Sequence, residues 1–228
     1  MRLGLLGGTF DPVHRGHIDV AQAALETLGL DRVQFIPARL PPHRPQQPRV
    51  SGYHRFAMVA VAIAGFPGFE VSDLELEAEG PSYTAWTLAH LQRDGFHPSQ
   101  LFFITGADAF AEIATWHDYP ALLDASHFVV VSRPGHARER LWHRLPELRA
   151  RFVDVPPGTD PTALRVDRTA VFLVEARTAD ASSTEVRRRL EAAEPLDDLV
   201  PERALSYIRQ HRLYAPVVPA AGLLHDHE

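Results

Sequence analysis

The residues best placed to do chemistry are Gly7-Gly8-Thr9-Phe10-Asp11-Pro12-Val13-His14-Arg15-Gly16-His17. They directly follow a short apolar run, Leu3 to Leu6, and precede a helical pattern of Ile18, Val20, Ala21, Ala24, Leu25 and Leu28. The order is therefore strand, glycine-rich loop, helix start. Such a junction points free backbone N–H groups and the positive end of a helix dipole at an anion. Glycines let the backbone approach a phosphate closely, and two histidines three apart supply hydrogen bonds and titrate near neutrality. The plain structural alternative is an N-capping loop with two surface histidines.

A second helix start, Ser182-Ser183-Thr184-Glu185-Val186-Arg187, reads as a capping box, with Ser182 at the N-cap and Glu185 three residues on. Its first turn offers N–H groups, and Ser183, Thr184 and Arg187 lie near one another there. Arg188 and Arg189 point elsewhere around the helix, toward solvent. Gly106-x-Asp108 follows a buried-looking strand, so Asp108 is placed either to accept from a ribose hydroxyl or to cap the next helix. Trp116 lies in the polar stretch Thr115 to Asp118, which favours a ligand contact over a core position. Ser82 reads as a helix cap.

These segments together resemble the nucleotidyltransferase superfamily marked by His-x-Gly-His, and within it the bacterial nicotinate-nucleotide adenylyltransferases. Pro41-Pro42-His43-Arg44, Gly80-Pro81-Ser82-Tyr83-Thr84, Phe103 to Asp108, Trp116 and Ser132-Arg133-Pro134-Gly135 agree in order, and the likeness runs from about Met1 to Tyr214. It implies adenylyl transfer from ATP, with Mg²⁺, to nicotinate mononucleotide. ATP would be held by Gly7, Gly8, Thr9, Phe10, His14, His17, Gly106, Asp108, Ser183, Thr184 and Arg187, with His14, His17 and Arg187 carrying catalysis. His43, Arg44, Thr84, Trp116 and Arg133 would hold the acceptor. Nicotinamide mononucleotide and phosphopantetheine are rival acceptors, and a regulator that binds nucleotide without turnover is the rival of another class. The chain departs from the family with Glu77-Ala78-Glu79 where a basic residue is usual, and with Trp86 where Asp is usual.

The elements that must position these residues follow from hydrophobic periodicity. Strands are expected at 2–6, 32–37, 69–73, 101–105, 127–132, 151–155 and 170–175, with helices at 17–28, 53–64, 83–94, 108–113, 120–123, 183–193 and 202–212. Such alternation implies right-handed βαβ units. The expected fold is α/β: one Rossmann-like doubly wound domain over 1–214, a mostly parallel sheet with helices on both faces. Ligands would bind at the carboxyl ends of the strands. The stretch from Pro134 to Asp167 is less regular, with a surface helix expected to start near Arg138. Residues 215–228 form an expected mobile tail.

Composition limits the rest. The chain has 228 residues, and all 23 basic residues are arginine. Any side-chain cation on a phosphate is therefore an arginine fork or a histidine. A net charge of −6 argues against general nucleic-acid binding. No run is apolar enough for a membrane helix, and no signal peptide is recognisable. With no cysteine, disulfides and thiol chemistry are excluded, and a cytoplasmic location is expected.

Overall fold

The computed structural model describes residues 1–42, 47–133, 137–164, 166–196 and 198–215. Seven strands form its sheet: β1 (Leu3–Gly8), β2 (Arg32–Pro37), β3 (Phe69–Val71), β4 (Leu101–Gly106), β5 (His127–Ser132), β6 (Phe152–Val155) and β7 (Val171–Glu175). Their order is β3-β2-β1-β4-β5-β7-β6. Every pairing is parallel, a stricter arrangement than the mostly parallel sheet expected.

Nine α-helices accompany it among the described residues: α1 (Arg15–Leu28), α2 (Gly52–Ile63), α3 (Leu74–Glu77), α4 (Thr84–Arg93), α5 (Ala107–Phe110), α6 (Leu122–Ala125), α7 (Ala137–Arg144), α8 (Ser183–Glu191) and α9 (Glu202–Gln210). Side chains of a strand alternate between faces, and β5 shows the result. Val129 and Val131 enter the core with Ile18, Ala21, Val186 and Ile208. Phe128 and Val130 enter the opposite core with Leu88, Phe110 and Leu141. Both faces are thus covered, as a doubly wound sheet of near-continuous apolar strands requires. Each fully buried Val, Leu or Phe contributes about 1.5–3 kcal/mol.

The winding sets the site. From β1 the chain moves outward through β2 and β3, then crosses back to β4 on the other side of β1. The crevice beyond the carboxyl ends of β1 and β4 is the switch point where such sheets bind ligands. Gly7 and Gly8 end one strand, and Thr105 and Gly106 end the other.

Candidate active site

The β1–α1 loop is shaped by close contacts. A Cβ on Gly8 would sit 2.9 Å from the Phe10 ring, so a larger residue there would displace that ring. Phe10 is 1% exposed, has a left-handed φ of 49° and meets the His17 ring edge-on at 4.9 Å. The helix starts two residues earlier than its periodicity suggested, because His14 is the N-cap and His17 the third helical residue. His17 Nδ1 accepts the His14 N–H at 3.2 Å, and the two imidazoles stack at 3.7 Å. With Nδ1 accepting, a neutral His17 carries its proton on Nε2. The histidines therefore cap the helix, with His14 buried and His17 half-buried. Burial holds His14 down at about 4, so in the free protein it is neutral at pH 7. Its Nδ1 is buried with no hydrogen-bond partner.

Helix α8 brings its N-terminus to the same loop. Ser183 Oγ donates to the Pro12 carbonyl at 3.0 Å. Arg187 Nη1 donates to the Asp11 carbonyl at 2.6 Å, and Nη2 to Thr184 Oγ1 at 3.2 Å. Arg187 Nε is buried with no partner. Buried polar atoms in a folded protein are nearly always paired, so His14 Nδ1 and Arg187 Nε, both at this loop, are candidate contacts for a ligand that accepts hydrogen bonds. His14, His17, Ser183, Thr184 and Arg187, far apart in sequence, thus converge on one loop. The capping box on α8 is only half formed. Ser182 Oγ accepts from the Glu185 N–H, but the Glu185 carboxylate binds Arg188 and Arg189 instead of reaching back. Those two arginines are thus ion-paired rather than free in solvent; Arg188 also meets Glu194.

Beside the loop, a cavity of about 270 Å³ opens over the ends of β1 and β4. Gly7, Gly8 and Thr9 form one side, and Thr84 and Trp116 line it too. Trp116 rests edge-on against Phe103 at 5.9 Å, so it serves the core and the cavity together. Tyr83 and His117, which sequence reasoning missed, stack at 4.3 Å in the wall. Glu75 was missed as well. It is 5% exposed, accepts the Thr87 hydroxyl at 2.6 Å, and burial raises its carboxyl above the usual range. Ser82 does not cap a helix. Its Oγ accepts from the Arg39 and Leu40 N–H groups and ties the wall to the segment leading to Pro41 and Pro42.

Two expected contacts, Asp108 and Arg133, do not line this cavity. Asp108 is exposed in the first turn of α5; the N-cap there is Gly106, with no side-chain cap. Arg133, at the end of β5, donates to Asp180 at 2.8 Å in the segment before α8 and does not line the cavity. His43 and Arg44 lie outside the described residues.

A family model described as cytidylyltransferase-like matches residues 5–189. The chain belongs to the cytidylyltransferase-like family. A Moorella thermoacetica relative named "Probable nicotinate-nucleotide adenylyltransferase" is 39% identical over 215 residues, covering 94% of this chain and 92% of the relative. One from Citrobacter koseri with the same name is 40% identical over 210 residues, covering 92% and 97%. Plasmodium falciparum nicotinic acid mononucleotide adenylyltransferase complexed with NaAD shares the fold, with a TM-score of 0.68 at 18% identity over 93% of this chain and 97% of that one. In this cytidylyltransferase-like chain, no helix among the described residues is long and apolar enough to cross a membrane. Nor do three His, Asp or Glu side chains converge there as a metal cage.

Proposed function

We propose that this chain transfers the adenylyl group of ATP to nicotinate mononucleotide, forming nicotinate adenine dinucleotide and pyrophosphate in NAD biosynthesis. The observation that carries the reading is the junction of two sites: the β1–α1 loop and the facing start of α8, which hold the unpaired His14 Nδ1 and Arg187 Nε, and an aromatic-walled cavity that shares Gly7, Gly8 and Thr9 with that loop. The names of the relatives support the choice of substrates.

The reaction asks little covalent help of the protein. An oxygen of the acceptor's 5′-phosphate attacks the α-phosphorus of ATP. The new P–O bond forms as the bond to the β-phosphate bridging oxygen breaks, and pyrophosphate carries away the electron pair. The attacking oxygen is already anionic at neutral pH, so no general base is required. Alignment and charge stabilisation do the work. His17, His14 and the two helix N-termini, each worth about half a positive charge, lie where the α-phosphate and leaving pyrophosphate would be held. His14 is neutral until an anion arrives; a polyphosphate beside it favours the protonated ring. Ser183, Thr184 and Arg187 take the β- and γ-phosphates. Mg²⁺ enters with ATP as part of the substrate. Asp108 takes the ribose of ATP, Trp116 and Thr84 the nicotinate ring, and His43, Arg44 and Arg133 complete the phosphate contacts. A cysteine-free chain suits work in the cytoplasm.

Pyrophosphate release from ATP, measured with nicotinate mononucleotide, nicotinamide mononucleotide and phosphopantetheine, tests the reading. Turnover should be fastest on the first. Activity confined to phosphopantetheine, or no release with any acceptor, would overturn it.

A further inference from the structure

Behind the phosphate loop lies a buried charge cluster that the transfer reaction does not itself call for. Asp11 is 3% exposed. Its Oδ1 accepts the Tyr214 hydroxyl at 2.7 Å and its Oδ2 accepts the Arg49 N–H at 2.9 Å. Oδ2 also lies 3.8 Å from Arg187 Nη1, which donates at 2.6 Å to the Asp11 carbonyl. From α2, Arg55, only 2% exposed, donates to the Thr9 carbonyl at 2.7 Å and feels the Asp11 charge. One buried carboxylate therefore serves two guanidiniums, and a positive charge is left over. Uncompensated buried charge is costly, and an incoming polyphosphate would relieve it.

Tyr214 reaches this cluster from 203 positions away in sequence. It is 8% exposed and holds a left-handed φ of 61°, which a bulky side chain adopts only when its surroundings impose it. Burial, and then Asp11, keep its phenol protonated, so the hydroxyl donates. We infer that Tyr214 and Asp11 are positioning residues for the phosphate-binding arginine: Tyr214 fixes the Asp11 carboxylate, and Asp11 fixes the Arg187 guanidinium, leaving Arg187 Nε for the triphosphate. The turn that follows α9 thus delivers a side chain on which ATP affinity depends. The inference rests on the reading of ATP as substrate.

Calorimetry of ATP and of nicotinate mononucleotide, on the full chain, tests it without requiring turnover. Tyr214→Phe keeps the ring and removes the donor. It should raise the ATP dissociation constant about 3- to 30-fold, with the acceptor constant within about 2-fold. That range corresponds to a partly recovered hydrogen bond to a charged group, since ~1.4 kcal/mol is tenfold. In an Arg187→Ala background the same change should have no further effect on ATP, because both act through one guanidinium. A purely packing role would lower the melting temperature in both backgrounds and leave the ratio of the two dissociation constants untouched. Equal weakening of both ligands, an unchanged ATP constant, or multiplicative effects in the double variant would overturn the inference. Asp11→Asn is read by the same ratio if Tyr214→Phe does not fold. Wild-type protein that binds neither nucleotide would instead overturn the functional reading.

Discussion

Replacing Gly16 with Ala separates stability from catalysis at a single atom. Gly16 is the second residue of α1. A Cβ there would lie 3.2 Å from His14 Nδ1, 3.3 Å from His14 Cε1 and 3.4 Å from the Ala179 carbonyl oxygen. The Ala179 backbone has little freedom to retreat, because its N–H is held by Asp19 at 2.7 Å. The His14 ring must therefore move by a few tenths of an ångström, and His17, stacked on it at 3.7 Å, must adjust with it. For stability, alanine in a helix is favoured over glycine by about 0.5–1 kcal/mol, which offsets the displaced ring. The melting temperature should stay within about 4 °C of wild type, given roughly 2–4 °C per kcal/mol at this size. For catalysis, a 1 Å misplacement costs about 10²-fold. A shift of about 0.3–0.5 Å then scales to a loss of roughly 4- to 10-fold in kcat. Pyrophosphate release at saturating ATP and nicotinate mononucleotide, beside a thermal melt, reads both quantities. A folded Gly16→Ala protein with wild-type kcat would refute the placement of His14 and His17 on the reacting phosphates.

Further outcomes follow from the same geometry. His17→Ala should lose about 10²-fold in kcat, the scale of one preorganised donor, and near-normal turnover of the folded variant would remove His17 from the mechanism. Arg187→Ala should weaken ATP far more than the acceptor, whereas Arg188→Ala, exposed and paired with Glu185 and Glu194, should change ATP affinity less than about 5-fold; equal defects would place the wrong face of α8 in the site. Trp116→Ala should weaken nicotinate and nicotinamide mononucleotides alike and also lower the melting temperature, since Trp116 packs on Phe103 and Phe128; a change in the acid-to-amide ratio as large as the loss itself would give Trp116 the discriminating role. His127 is buried in β5, where burial first and the Arg2 charge second hold it at about 4 while its Nδ1 accepts the Ala170 N–H at 3.0 Å. The unfolded chain takes up this proton near pH 6.5 and the folded chain only near 4. Stability from this residue is therefore full above pH 6.5 and is lost as pH falls toward 4, by about 1.4 kcal/mol per unit. A His127 ring resonance titrating near 6.5 in the folded protein would refute it.

What was legible in the sequence was what neighbours in the chain decide. The apolar run Leu3 to Leu6 reads as a strand, which the structure carries on through Gly7 and Gly8, and the apolar spacing of Ile18 to Leu28 is a helix because its period is 3.6. The seven strands fell where alternation placed them, within a few residues. Strands separated by helices left a parallel sheet as the consistent solution, and that fixed which edge carries ligands. The loop, both helix starts and Trp116 were visible for the same reason: each is a local pattern. The tertiary structure decided the partners and the charge states, because these depend on what long-range packing excludes from water. Nothing near His14 in sequence says that burial will leave it neutral with an orphaned Nδ1. Ser82 looked like a helix cap and became a tie to Arg39 and Leu40. Glu75, Arg55 and Tyr214 carry no local mark at all, since an Arg among apolar residues or a Tyr near a chain end acquires meaning only from the group it meets. For Tyr214 that group is Asp11, brought within 2.7 Å by the closing of the fold.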